Sequence, residues 1–259
     1  MERYRYSPLA PNNIRVLKLL PGREQEPLTV EIDHVDLATR PHYEALSYEW
    51  GAPETKMTNR VNNGLDSYLP ITVSLRNALR SLRSPESMRT IWADAICINQ
   101  LDDSERTQQV LLMGSIYQAA SVVVTYIGEE TDDTRHGLSL GYQILEYVHR
   151  NSKSPPDPRL VRTNDDLVML ELGFPPVDHP HWKALRSLTR RTWSTRAWMV
   201  QESLLNKNMK MLCGRVEINW YTLPDIARFT SEYRSPILAI TSHDETTASV
   251  GGLLKPFWQ

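Results

Sequence analysis

The sequence predicts an α/β fold: a mainly parallel sheet with flanking helices, elaborated by an N-terminal and a C-terminal β-hairpin. Three observations predict it. Strand-like apolar runs at residues 43–50, 90–98 and 121–127 are separated by helical periodicity, the strand–helix–strand–helix–strand order of a parallel sheet with crossover helices. Two further pairs of alternating runs flank short turn signals, at each end of that series. The composition supports a packed core, with 41% of the 259 residues hydrophobic and 23% charged, which excludes a disordered chain. At about 150 residues per domain the length admits one large domain or two small ones.

Each element has its own signal. Ile14–Leu20 and Leu28–Val35 alternate apolar and polar residues around Pro21-Gly22, an antiparallel hairpin within residues 14–36. Tyr43–Trp50 reads as a third strand closed by Gly51 and Pro53, and Asn62-Asn63-Gly64 marks a turn. Ser74 is placed to cap a helix in which Leu75, Ala78, Leu79 and Leu82 recur on one face. Thr90–Ile98 reads as a buried strand. Asp102 and Glu105 have capping-box spacing and open a helix through Val110, Met113, Ile116, Tyr117 and Ala120. Val110–Gly128 is uncharged, but Gly114, Ser115, Gln118, Ser121 and Thr125 dilute its apolarity. It therefore reads as a helix end running into the strand Ser121–Ile127, not as a membrane span.

A helix beyond Asp133 reaches Arg150, and Asn151–Arg159, with three prolines, opens a loop-rich insertion over residues 151–180. A helical region spans Trp182–Leu205, and Met209–Cys213 pairs with Val216–Trp220 around Gly214-Arg215. The last forty residues are weakly patterned, and 236–259 reads as a mobile tail. Residues 1–259 are expected to form one elaborated domain with its core at 43–220.

The net charge of −2 argues against nucleic acid as a partner. Cys97 and Cys213 alone make no disulfide scaffold and fit a reducing compartment. Met1–Tyr6 is polar, without the apolar stretch of a signal peptide, so a cytoplasmic location is expected, with no membrane contact. Glycine-rich phosphate loops, Cys-x-x-Cys and His-Glu-x-x-His are absent. His179 and His181 are the one close histidine pair; without a neighbouring cysteine or acid cluster they read as a surface loop, and no metal is expected. Cys97 reads as a buried thiol, since no histidine near it in sequence activates it.

Three segments carry more than packing. They are Tyr43-Glu44-Ala45-Leu46-Ser47-Tyr48-Glu49-Trp50-Gly51; then Trp92-Ala93-Asp94-Ala95-Ile96-Cys97-Ile98-Asn99-Gln100, followed by Glu105-Arg106; and Arg191-Thr192-Trp193-Ser194-Thr195-Arg196-Ala197-Trp198-Met199-Val200-Gln201-Glu202. In this order they resemble the heterokaryon-incompatibility (HET) domain of filamentous fungi. That resemblance implies a role in non-self recognition with cell death as output, and a partner incompatibility protein. HET domains in turn resemble Toll/interleukin-1 receptor (TIR) domains, flavodoxin-like folds of which several cleave NAD at the nicotinamide–ribose bond. Leu46-Ser47-Tyr48 and Trp92-Ala93-Asp94 resemble the first two TIR strands, and Trp198-x-x-x-Glu202 has the spacing of the TIR tryptophan and catalytic glutamate. The implied activity is NAD cleavage with NAD as substrate, no separate cofactor, and homo-oligomerisation on activation; a non-catalytic signalling and self-association module, and a nucleotide-binding sensor without turnover, are the alternatives.

On a helix, Trp198 and Glu202 project from one face a turn apart. An indole beside a carboxylate suits a flat cationic ring joined to a sugar. Nicotinamide leaves NAD as a neutral molecule, so one carboxylate stabilising oxocarbenium charge suffices. Glu202 suits equally a solvated helix face or an ion pair with Arg196 or Arg191. Ser47, Tyr48, Trp50, Gly51, Asn99, Arg196 and Trp198 form the expected substrate-binding set, although strand-end hydroxyls also cap loops and tryptophans also fill cores. Asp94, on a buried strand, reads as a brace for the Cys97–Gln100 loop in preference to a catalyst, with Gln100 shaping the same loop.

Overall fold

The computed structural model describes residues 2–51, 59–63, 67–151, 165–191 and 205–233, with the backbone alone at 59–63 and 228–233. Two compact units divide the chain: residues 1–129 with 196–217, and residues 130–195 with 218–259.

The first unit is organised by a ten-stranded mixed sheet, with β1 (Glu2–Arg3), β2 (Asn13–Leu19), β3 (Thr29–Asp36), β4 (Glu44–Tyr48), β5 (Asn59–Asn63), β6 (Ser67–Ile71), β7 (Arg89–Trp92), β8 (Val122–Tyr126), β9 (Met209–Cys213) and β10 (Val216–Ile218). Their spatial order is β1-β6-β5-β3-β2-β7-β4-β8-β9-β10. The stretch β7-β4-β8-β9 is parallel throughout. Counted along the chain, these four strands lie in the order second, first, third, fourth, as in doubly wound sheets of the flavodoxin type. The α/β class expected from the sequence is the observed one. Ala45, Leu46, Ser47 and Tyr48 on β4 are all buried, as a central parallel strand covered on both faces requires.

Helices α1 (Val73–Leu82), α2 (Asp94–Cys97) and α3 (Asp103–Ala119) lie between strands of this sheet in the chain. Helix α1 buries Leu75, Ala78, Leu79 and Leu82, the expected face, but Thr72 and not Ser74 is its cap, accepting from the Leu75 amide at 3.2 Å. The Ser74 hydroxyl instead donates to the Glu49 carbonyl. The N-terminal hairpin pairs β2 and β3 from Asn13↔Asp36 to Leu19↔Val30. Gly214, at φ +54°, takes the first central position of the β9–β10 turn, where a type II′ geometry favours glycine. The uncharged stretch 110–128 is the end of α3 followed by β8, and among the described residues no helix is long and apolar enough to cross a membrane.

Two expected elements differ. The strand drawn over Thr90–Ile98 ends at Trp92, and Asp94–Cys97 turns into α2. The Asp102–Glu105 box is half made. Asp102 accepts from the amides of Ser104 and Glu105 at 3.0 Å each, while the Asp102 amide bonds the Asn99 carbonyl and the Glu105 carboxylate turns away to Arg15.

The second unit contains α4 (Thr134–Arg150), α5 (Asp166–Glu171), α6 (Pro180–Thr189) and α7 (Thr222–Tyr233) around Leu140, Ile144, Met169, Phe174, Trp182, Leu185 and Ile226. Helix α5 falls inside the expected loop-rich insertion and α7 inside the weakly patterned last forty residues, so both regions hold helix that periodicity missed. The helical region expected from Trp182 to Leu205 begins as α6; residues 192–204, like the expected tail 236–259, lie outside the described residues. His179 caps α6 and its ring meets His181, which stacks on His136 with centroids 4.8 Å apart. Among the described residues no group of three or more histidine, cysteine, aspartate or glutamate side chains is arranged to hold a metal ion.

Glycine lets α4 approach α6. A Cβ at Gly137 would sit 2.8 Å from the main-chain carbon of Ala184 and from Leu188 Cδ1. Gly137→Ala is expected to lose about 1–3 kcal/mol of stability, outweighing the roughly 1 kcal/mol that alanine gains in helix propensity. Urea unfolding checks this; an unchanged or higher midpoint contradicts the close approach.

Candidate functional site

In open parallel sheets ligands bind outside the carboxyl ends of the strands, where the strand order reverses. Here that place lies beyond Tyr48 on β4, Trp92 on β7 and Tyr126 on β8, with Ser47↔Thr125 and Tyr48↔Tyr126 as the last paired residues of β4 and β8. The first two motif segments run out of the sheet at this edge. Parallel pairing of β4 with β7 brings them side by side.

Trp50, Asp94 and Gln100 are joined by hydrogen bonds. The Trp50 indole donates to Asp94 Oδ2 at 2.8 Å, linking the segments that leave β4 and β7. Asp94 Oδ1 accepts from the Ala95 amide at 2.8 Å, and the Gln100 carboxamide donates to the Asp94 main-chain carbonyl at 2.9 Å. Asp94 is therefore not a strand residue buried in the sheet. It opens the α2 turn, is half-buried, and its carboxylate is held by an indole and a turn amide; the loop reaches its carbonyl. Gly51, at φ +73°, turns the chain past Trp50 and is exposed. Ser47 and Tyr48 are each only 1% exposed, within the sheet.

Asn99 takes a different setting. It lies on the wall of an open groove of about 510 Å³, formed with residues 2–6 and Leu101. Its amide donates to Glu105 Oε1 at 2.7 Å, and that carboxylate forms a two-pronged ion pair with Arg15 at 2.6 and 3.0 Å. Arg15 is completely buried and also donates to the carbonyls of Cys97, at 3.1 Å, and Ser7, at 2.6 Å. The Tyr6 ring lies 4.8 Å from the guanidinium, and its hydroxyl donates to the Ile96 carbonyl. The Arg15–Glu105 pair is not marked in the sequence, where Arg15 is one polar residue of an alternating strand. Strand β2 is an interior strand with both faces covered, so Arg15 points into protein. Its one signal is Glu105, which sits beside the second motif.

Glu129 also escaped. It follows β8 at the carboxyl edge and accepts from the Tyr126 hydroxyl. Burial, and next this carboxylate, hold the Tyr126 phenol in its neutral form by raising its pKa.

The family model described as Heterokaryon incompatibility protein (HET) matches residues 43–202, more than half of the chain. The chain belongs to the heterokaryon incompatibility (HET) family. Heterokaryon incompatibility protein 6, OR allele, of Neurospora crassa is 30% identical to this HET chain over 231 residues, covering 78% of the chain and 33% of that protein. The chain thus spans about a third of that relative's length. No solved structure matches it. The match spans the Trp50–Asp94 bridge and the Asn99 loop, both in the described part of the HET region, whereas Arg196, Trp198 and Glu202 lie outside the described residues.

Cys97, the cysteine of the second HET motif, is fully buried, and Ala93 donates its amide to Sγ at 3.3 Å. Burial pushes the thiol up to about 12, against the smaller opposing pull of that amide. Since Cys213 is buried too, the native chain is expected to react with neither thiol at about pH 8 and to expose both on unfolding. Thiol titration with a chromogenic disulfide checks this, and a rapidly modified native cysteine contradicts it.

Proposed function

We propose that this HET chain cleaves NAD at the nicotinamide–ribose bond, in an assembly-dependent way, as a cytoplasmic effector of non-self recognition and cell death. The observation that carries the reading is the parallel order β7-β4-β8-β9, which gathers the first two HET motifs at the carboxyl edge where doubly wound sheets take dinucleotides. Glu202 is the catalytic carboxylate. As nicotinamide departs with the bonding electrons and loses its positive charge, the ribose carbon becomes oxocarbenium-like; a carboxylate beside it stabilises that charge, and water then adds to that carbon and gives up a proton to solvent. Trp198 supplies a flat face to the ring. Trp50 and Gly51 border the site, with Arg196 as a charge partner for phosphate and Asn99 as a hydrogen-bonding group. A second copy of the chain and a partner incompatibility protein complete the working assembly.

Purified chain incubated with NAD is expected to release nicotinamide, and Glu202→Ala to remove that release. Full activity in Glu202→Ala overturns the assignment.

A second reading, a non-catalytic signalling and self-association module, is favoured by one observation: Ser47 and Tyr48 are buried in the sheet. It predicts that cell killing survives Glu202→Gln with the fold intact, whereas the catalytic reading predicts its loss.

A further inference from the structure

Arg15 and Glu105 stand apart from the residues that border the proposed site, yet they do something specific to one of them. A buried ion pair is a poor route to stability, because desolvating two charges offsets most of their attraction, and apolar residues of similar size often serve as well. What such a pair supplies is direction. The two partners fix two main-chain groups of one loop, on either side of Ile98: Arg15 takes the Cys97 carbonyl at 3.1 Å and Glu105 takes the Asn99 amide at 2.7 Å. The Ile98 amide closes back on the Asp94 carbonyl at 3.1 Å, and Tyr6 takes the Ile96 carbonyl at 2.9 Å. The main chain from Ile96 to Asn99 is thus pinned from within the protein. Asn99 and Leu101 line the groove of about 510 Å³; the Asn99 carboxamide oxygen accepts from the Leu101 amide at 3.3 Å, which leaves its NH2 as the group to offer a ligand, and Leu101 is 76% exposed. Arg3 and Arg5 line the same groove and are exposed, and Glu2 on the same wall lies 3.9 Å from the Arg5 guanidinium, so the groove keeps an excess of one positive charge.

We propose that Arg15 and Glu105 are positioning residues for NAD, holding the main chain at Cys97 and Asn99 so that the Asn99 carboxamide is preset against the dinucleotide. This rests on the reading that the site takes NAD. Neither residue is placed in contact with the ligand; each acts through the loop, and Glu105 acts through the Asn99 amide. A loop set in advance loses less freedom on binding, so the expected effect falls on affinity and not on the bond-breaking step.

The test is a double-mutant cycle in NAD affinity, measured by calorimetry on the full chain carrying Glu202→Gln so that the ligand is not consumed. Glu105→Gln and Asn99→Ala are each expected to weaken NAD binding about tenfold, and the double variant to be no weaker than Asn99→Ala alone. Arg15→Lys, which keeps the charge but not the two-pronged geometry, is expected to fall between wild type and Glu105→Gln. It carries the same arm of the cycle if Glu105→Gln fails to fold. Losses that multiply to about a hundredfold in the double variant overturn the proposal. So does a lowered melting temperature with unchanged affinity, the mark of a purely structural pair. NAD binding without nicotinamide release from the unsubstituted chain overturns the cleavage reading alone and leaves the cycle readable. No NAD binding overturns both.

Discussion

Arg15→Met is expected to lower stability by about 3–5 kcal/mol, the cost of leaving a carboxylate buried after its partner is removed. Glu105 retains only 10% of its side-chain exposure, and the methionine that replaces Arg15 offers it no donor. The carbonyls of Cys97 and Ser7 lose a donor at the same time. The comparison that isolates the charge is Arg15→Met with Glu105→Leu. Without an orphaned carboxylate, that double variant is expected to recover a large part of the loss, although the Asn99 amide still lacks its acceptor. Urea unfolding at neutral pH reads both. A single variant within about 1 kcal/mol of wild type shows that the pair does not hold the second HET motif in place.

Glu202→Gln is expected to reduce nicotinamide release about a thousandfold in kcat while changing KM only a few-fold. Glutamine keeps the shape and hydrogen-bonding reach of the side chain and removes the negative charge. A loss confined to kcat therefore reports charge stabilisation that develops in the transition state. Trp198→Ala is expected to show the opposite split, raising KM more than it lowers kcat, because an indole stacked on the nicotinamide ring binds the ground state as well. Steady-state kinetics on the three chains separates these roles. A Glu202→Gln chain with unaltered kcat removes Glu202 from the chemistry.

Much of the fold was legible in the sequence where one physical signal dominates. The N-terminal hairpin follows from alternation around Pro21-Gly22, and β4 and β8 follow from short buried runs too apolar for a surface. Strand β7 was overdrawn because Ile91–Ile98 is apolar almost throughout, and periodicity does not separate a buried strand from a strand followed by one buried helical turn. The separating fact is tertiary: Asp94 is satisfied by an indole that arrives from residue 50. Strands β5 and β6 went unread for the opposite reason. Their residues are polar and mixed, and the turn signal at Asn62-Asn63-Gly64 covers residues that end β5: Asn62 pairs with Tyr68 and Asn63 with Ser67.

The motif residues of the site were legible as types, but their settings were not. Trp50 and Asp94 were each identified separately, and their hydrogen bond needs the β4–β7 pairing. Arg15 was invisible as a site residue because its role is to meet a carboxylate ninety residues away. No pattern within a strand reports whether the strand will lie at the edge of a sheet or inside it.

Assembly-dependent cleavage of NAD by the HET chain has a direct readout. The most direct measurement is nicotinamide released from NAD per molecule of purified chain, followed as the protein concentration is raised. Specific activity is expected to climb with concentration and to vanish in Glu202→Ala. No release at the highest concentration the protein tolerates contradicts it.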